Sequence, residues 1–569
     1  MNFIEDHCPP SSFKPHSTLL RRQSHRNLWL TVNGGHRLIL LLQFKLNVST
    51  KTRHSRRTSI GTTESAAVVF SNTFATSKVS HRRIFQYALR TTRASIGDLP
   101  TELLEIIFKF VYMKSRVPTD EECYRHLPGY SPDGPYETMW DTHQNLLSPS
   151  LFPYALASVC TTWRDVLSTI PVFWTRVVIL IDTNPTVLPA IQSYFKWTHN
   201  LPLDVAVMRR SGAFDPDENA RVLAVIDLLG PHVHRCRSLQ FDVIYSSSLP
   251  SLRRDFHGVA PELDKLVLKC RVDDGGSIPS DTAKHGMFAC PVLQTLVLDG
   301  RNFLECMIDA RPFTSATSIE ILHLSPSQNE SFPLYQMLRT LEKFRKLRSL
   351  KVREVEFDFV SGSVDPASFG LSLSSATFED LQGSVLTEIF RVTTLHPEST
   401  TITRCSVDPF DSTIWTFNLT LEDIAADQDL REILGGWYGR HLYIYNCPGF
   451  DDIVIAEMGE GGLSSDDFIA RNITELCISD CPNFSVGALK EMVDERGRIA
   501  AAHEHDDTWD EFNPSTVSRI AILDVNGYGP LISPEDVEWF EANVDFFGWC
   551  TTLPDGRICR GGAVHMSSG

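Results

Sequence analysis

Five potential metal ligands stand in a row at His503-Glu504-His505-Asp506-Asp507. Imidazole and carboxylate donors suit zinc and similar divalent ions. The run lies in a polar insertion, however, and reads as a solvated loop. Cys477 and Cys481 are four residues apart and have no companions at zinc spacing. Asp466-Asp467 and Asp506-Asp507 are acidic pairs without a partnered acid or base. Gly435-Gly436 and the glycines at 459, 461 and 462 are turn material, and no phosphate loop, nucleophile elbow or HExxH motif occurs. The expectation is a non-catalytic chain with no metal site and no cofactor.

The chain has 569 residues, a formal net charge of −17 and 42% hydrophobic residues. That is enough chain for more than one globular domain. Residues 1–95 hold 15 Lys/Arg against 3 Asp/Glu, which leaves a net charge of −29 on the remainder. An acidic body argues against general nucleic-acid binding. The first 95 residues are rich in Ser, Thr, Arg and His. That composition suits a disordered basic arm or a transit peptide, and a disordered arm is expected. Arg56-Arg57-Thr58-Ser59 matches a basophilic kinase site only weakly. Leu38–Leu42 is too short to span a bilayer, so no membrane segment is expected. Thirteen scattered cysteines without paired CxxC motifs fit a reducing compartment, cytoplasmic or nuclear.

The elements with the strongest periodicity lie between residues 96 and 174. Pro100 suits a helix start, and Asp98 and Glu102 place negative charge there. Leu103, Ile106, Ile107, Phe110 and Val111 share one face, while Leu104 and Phe108 line a second apolar strip. A helix apolar on two sides must bury both, one against its own domain and the other against a partner. A second helix carries Leu156, Val159, Trp163, Val166 and Leu167 on one side, and Ile170-Pro171 ends it before Phe173-Trp174. Between the two helices, residues 112–154 hold many Pro and Gly residues and read as a loop insertion.

The order Leu99-Pro-x-Glu-Leu-Leu-x-x-Ile-Phe, then Val159-Cys-x-x-Trp-Arg, then Pro171-x-x-Trp resembles an F-box. The family usually joins its helices by a short turn, so the 112–154 insertion is a departure. The resemblance implies docking on a Skp-type linker protein and, through it, on a cullin scaffold. At matching motif positions, Leu99, Pro100, Leu103, Leu104, Ile107, Val159, Cys160 and Trp163 would form or support that contact.

From about residue 236 an apolar-x-x-apolar-x-apolar pattern recurs, as in Leu263-x-x-Leu266-x-Leu268, Leu293-x-x-Leu296-x-Leu298, Ile319-x-x-Leu322-x-Leu324 and Leu347-x-x-Leu350-x-Val352. Later copies are Ile414-x-x-Phe417-x-Leu419, Ile473-x-x-Leu476-x-Ile478 and Ile520-x-x-Leu523-x-Val525, while residues 355–410 fit poorly. Helices are expected over 335–346, 384–394 and 485–496. A period in the twenties is the sign of a leucine-rich repeat. Leu442-x-Ile444-x-x-Cys447-x-x-Phe450 and Leu476-x-Ile478-x-x-Cys481-x-x-Phe484 resemble cysteine-containing leucine-rich repeats, with the Cys a small buried turn residue.

The expected fold class is therefore α/β: a disordered arm over 1–95, a helical F-box over 96–180, and an irregular leucine-rich-repeat solenoid over 181–569. The whole resembles the F-box proteins with divergent repeats found in mushroom-forming fungi. The expected function is substrate recognition for a cullin ubiquitin ligase, with an unidentified protein as target and no nucleic-acid or membrane partner. A ligase-independent interaction scaffold is the alternative, and a cryptic hydrolase within 355–569 is a third reading. Residues between the buried strand positions would face the target, among them Lys265, Lys269, Thr295, Asp299, His323, Lys351, Arg353, His441, Tyr443, Tyr445 and Glu475. Of these, Lys351, Arg353, Tyr443 and Tyr445 are the candidate target contacts.

Overall fold

A computed structural model of the protein describes residues 30–31, 37–38, 99–115, 146–148, 151–210, 215–274, 288–324, 332–407, 410–459, 468–503, 517–552 and 558–561. The basic arm lies outside the described residues, except for a two-residue antiparallel pairing of Leu30–Thr31 with Arg37–Leu38. Most of the expected insertion over 112–154 and residues Glu504–Asp507 of the histidine-acid run lie outside them too. The chain divides into two compact units, Met1–Leu167 and Ser168–Gly569, so Pro171–Trp174 belongs with the second.

Apart from that pairing, the described elements of the first unit are helices: α1 (Thr101–Lys114), α2 (Tyr154–Ala157) and α3 (Thr161–Ser168). Pro100 is the N-cap of α1, and its carbonyl accepts from the Leu103 and Leu104 amides at 3.0 and 3.1 Å.

The second unit is built on one large sheet. Its strands are β1 (Arg176–Leu180), β2 (Leu203–Met208), β3 (Cys236–Asp242), β4 (Lys265–Lys269) and β5 (Thr295–Asp299). Next come β6 (Ser318–Leu324), β7 (Ser349–Val355), β8 (Ser375–Glu379), β9 (Ser399–Thr403) and β10 (Asn418–Glu422). The last are β11 (His441–Tyr445), β12 (Glu475–Ser479), β13 (Ile522–Tyr528), β14 (Phe546–Thr552) and β15 (Ile558–Gly561). They lie side by side in chain order. The first 14 are parallel, and β15 turns back antiparallel to β14. The helices of this unit are α4 (Leu188–Trp197), α5 (Glu218–Leu229), α6 (Gly300–Ile308), α7 (Leu334–Leu341), α8 (Gly383–Val392), α9 (Leu430–Gly435), α10 (Asp452–Gly459), α11 (Val486–His503) and α12 (Pro534–Asn543).

This architecture corrects the expected leucine-rich-repeat solenoid: the second unit is an α/β fold on a 14-strand all-parallel sheet, with 12 helices described in the whole chain. The spacing that suggested a fixed period is not kept. Strand starts are 19 residues apart from Ser399 to Asn418 and 47 apart from Glu475 to Ile522. A leucine-spaced motif is what any parallel strand produces when one face lies on a helix-covered core. The motif located strands without defining the family of fold.

One face of the sheet is core. Leu239, Phe241, Leu266, Leu268, Leu296, Leu298, Ile319, Ile321, Leu350 and Val352 are fully or almost fully buried there, and the same cluster runs on to Trp549. Register corrects two motif placements. Ile319 pairs with Leu296 and Leu350, so Ile319 and Ile321 point inward while Glu320 takes the open-face position given to His323. Leu419 and Leu421 point inward, and Phe417 is exposed. The expected helices over 335–346, 384–394 and 485–496 appear as α7, α8 and α11.

Beyond the strands, Asp380, Arg404, Asp423, Asn446 and Asp480 have φ between 47° and 56°. Each of their amides donates to a carbonyl near the end of the next strand, as Asn446 does to Ser479 at 2.8 Å. Asn and Asp tolerate this left-handed conformation best among residues with a Cβ. Gly527 continues the column at φ 71°, where a Cβ would come within 2.2 Å of Asp480 Oδ1. This column ends one strand after another at the same level and so aligns the open face.

Asp299 caps α6. Its carboxylate accepts from the Arg301 amide at 2.9 Å and from the Cys270 thiol at 3.1 Å. Burial pushes its pKa up to about 7, although both bonds oppose the rise. A carboxyl whose folded pKa exceeds its unfolded value contributes stability that is full below about pH 4 and lost as the pH rises to about 7. Asp299→Asn keeps a capping oxygen without the charge. Its stability relative to the native protein is expected to improve by about 2 kcal/mol between about pH 5 and about pH 8. Urea midpoints at both pH values check this, and a pH-independent difference would refute it.

Candidate docking surfaces

Helix α1 separates its two apolar strips. Leu104 and Phe108 are buried, whereas Leu103 is 41% exposed, Ile106 52%, Phe110 56% and Met113 61%. The exposed four follow i, i+3, i+7 and i+10, which is one continuous stripe about three turns long. Glu105 and Lys109 pair beside it at 3.7 Å.

The buried strip meets α3. The Phe108 and Trp163 rings stand edge to face with centroids 5.1 Å apart. Trp163, Val166 and Leu167 form the buried side of α3. The Trp163 amide donates to Cys160 Sγ at 3.5 Å, and Arg164 Nε donates to the Ala157 carbonyl at 3.2 Å, which fixes α3 against the end of α2.

The motif-matched residues therefore divide into three groups. Pro100 and Leu103 are exposed, Leu99, Ile107, Val159 and Cys160 are half-buried, and Leu104 and Trp163 are core. Ile106, Phe110 and Met113 belong to the exposed stripe although the motif match did not select them. Their three- and four-residue steps from Leu103 were the available signal.

The second surface is the open face of the sheet. Lys351 and Arg353 sit on it but are neutralised. Lys351 Nζ lies 3.1 Å from Glu379 Oε2 and 3.6 Å from Glu320 Oε1, and Arg353 pairs with Glu354 at 3.0 Å and with Glu379 at 3.4 Å. Arg404 joins Glu379 and Asp380. Burial alone would raise the Glu379 carboxyl, but hydrogen bonds from Lys351 and Arg404 hold it below the ordinary range. Such a closed network offers little to an incoming anion.

Tyr443 and Tyr445 stand on β11. The Tyr443 hydroxyl donates to Glu475 Oε1 at 2.8 Å, and burial together with that bond raises its pKa. Tyr445 is 39% exposed. Beside them, burial and the Glu475 charge push the Cys477 thiol up to about 12, which disfavours the thiolate. Cys447 and Cys481 are fully buried under this edge, and the Cys447 amide donates to Cys481 Sγ at 3.4 Å.

Among the described residues no group of three or more His, Cys, Asp or Glu could hold a metal ion. No helix among them is long and apolar enough to cross a membrane. No protein-family model matches the chain, and no curated protein sequence matches it either.

Proposed function

We propose that this protein is a target-recognition adaptor of a cullin-based ubiquitin ligase. The α1 stripe Leu103, Ile106, Phe110 and Met113 docks on a Skp-type linker protein, and the second unit holds the target. The observation that carries this reading is the stripe itself: four large apolar side chains open along one side of a helix whose other apolar side is already occupied, within the segment that resembles an F-box. Apolar side chains concentrated in one contiguous strip mark an interaction surface. The ligase chemistry then belongs to a separate conjugating enzyme, and this chain supplies proximity by holding a target lysine near the activated ubiquitin.

Leu103→Asp combined with Phe110→Asp tests the docking. Both positions are open in the free protein, so the variant is expected to fold. Each carboxylate would be desolvated at the contact without a partner, so linker retention should fall by at least about a hundredfold. Affinity purification of the full chain reads the result. The native protein should retain both linker and cullin and the variant neither, whereas undiminished retention by a folded variant would end the proposal. Retention of linker without cullin by the native chain would replace the ligase role with that of a scaffold.

A further inference from the structure

The open face of the sheet changes character along its length. Over β7–β9 its charges are matched, as described for Lys351, Arg353 and Arg404. Over β10–β13 they are not. Glu422, Glu475 and Asp524 stand on three of these four strands, and no Lys or Arg of the described residues forms an ion pair with any of them. Their partners are neutral groups or a histidine. Thr403 Oγ1 donates to Glu422 Oε2 at 3.1 Å, Tyr443 to Glu475, and Asn526 Nδ2 to Asp524 Oδ2 at 2.7 Å, while His441 Nε2 lies 3.8 Å from Glu475.

Register interleaves these acids with aromatic rings. Glu422 pairs with Tyr445 across β10 and β11, and Tyr443, Cys477 and Asp524 follow one another across β11, β12 and β13. Glu422 and Glu475 thus each have a tyrosine on the neighbouring β11, and Asp524 has Tyr528 on its own strand. Tyrosine faces attract cations, and carboxylates that lack a counter-charge strengthen the attraction.

We propose that this end of the sheet binds a segment of the target that carries Lys or Arg side chains, laid across β10–β13 with a cationic head group over the Tyr445 ring. This rests on the reading that the second unit holds the target, and it adds the chemistry of what is held. A second copy meeting it through this same patch does not fit, because like charges would face each other. An acidic segment fits no better.

Fluorescence anisotropy of labelled octalysine against the full-length chain tests this. The native protein should bind octalysine and not octaglutamate. The variant Glu422→Gln/Glu475→Gln/Asp524→Asn should bind octalysine about tenfold more weakly. A charge-matched control, Glu432→Gln/Glu491→Gln/Asp494→Asn on the exposed sides of α9 and α11, should stay within about twofold of native. Tyr445→Phe should retain binding, and Tyr445→Leu should lose about threefold. Equal losses in the two triple variants would overturn the proposal, because the overall acidity of the body would then explain the binding. Absence of octalysine binding, or a native dimer that octalysine dissociates, would overturn it as well. No linker protein is present in the assay, so such a failure leaves the α1 docking stripe standing.

Discussion

Replacing Arg496 by Met is expected to lower the stability of the second unit by about 3–5 kcal/mol, the scale at which loss of a buried charged hydrogen-bonding group is felt. Arg496 lies in α11 and is fully buried, with no carboxylate partner among the described residues. Burial lowers its pKa to about 9, which still leaves the guanidinium charged at neutral pH. The charge is spread over backbone carbonyls: Nη1 donates to Met458 at 2.7 Å, Nη2 to Arg471 at 2.6 Å and more distantly to Ala470, and Nε to Ser518 at 3.0 Å. These carbonyls belong to the end of α10, the turn before β12 and the approach to β13. One side chain therefore ties three connections together. Met removes every one of these donors, and the Arg471 and Ala470 carbonyls keep only the amides of Ser518 and Ile473. Lys would be a poor substitute, because one ammonium cannot reach acceptors that a planar fork spans. Denaturant titration checks both variants. A midpoint for Arg496→Met equal to the native one would show that water or local rearrangement satisfies the carbonyls.

Nothing in the local sequence marks Arg496 as internal, since Asp494-Glu495-Arg496-Gly497-Arg498 reads as the wet side of a helix. The strands were more legible, and where they were not the reason is physical. Strands β3, β4, β5, β7, β11, β12 and β13 bury side chains on the core side and keep mostly polar ones opposite, so alternation announces them. In β1 and β2 nearly every residue is buried on both faces, and period-2 contrast vanishes. In β6, Leu322 is apolar but lies on the open face, where it packs with Val267 and Val297, and this drew the motif three residues out of register. Strands β8 and β9 carry Ala376 and the fully buried Thr400 at core-facing positions, so residues 355–410 lack the large aliphatic contrast that marks the other strands. Strand positions are local information. The fold class is not, because strand spacing alone does not state how the crossovers pack. The candidate docking helix shows the same limit: its sequence contains two apolar strips, but only the packing partner decides which of them is closed.

That decision rests on Trp163, and its removal is the sharpest test of the first unit. Trp163→Ala is expected to cost about 3–5 kcal/mol, the range for deleting a buried aromatic side chain. Trp163 is 3% exposed and presents its ring to Phe108, the fully buried residue of α1. A short helical unit has little stability in reserve. The loss should therefore release α1, visible as faster amide hydrogen exchange over Thr101–Lys114. Under the proposed docking, linker binding would disappear as well, but by a different route from the α1 surface variant, which should keep native exchange protection. Trp163→Phe separates shape from chemistry. The indole Nε1 is buried without a hydrogen-bond partner, so losing its N–H removes a desolvation cost, and the smaller ring still fills most of the space. That variant is expected to stay within about 1 kcal/mol of native and to keep its linker. If Trp163→Ala exchanges as slowly as the native chain, the Phe108–Trp163 contact does not hold α1, and the division of α1 into a closed and an open strip loses its physical basis.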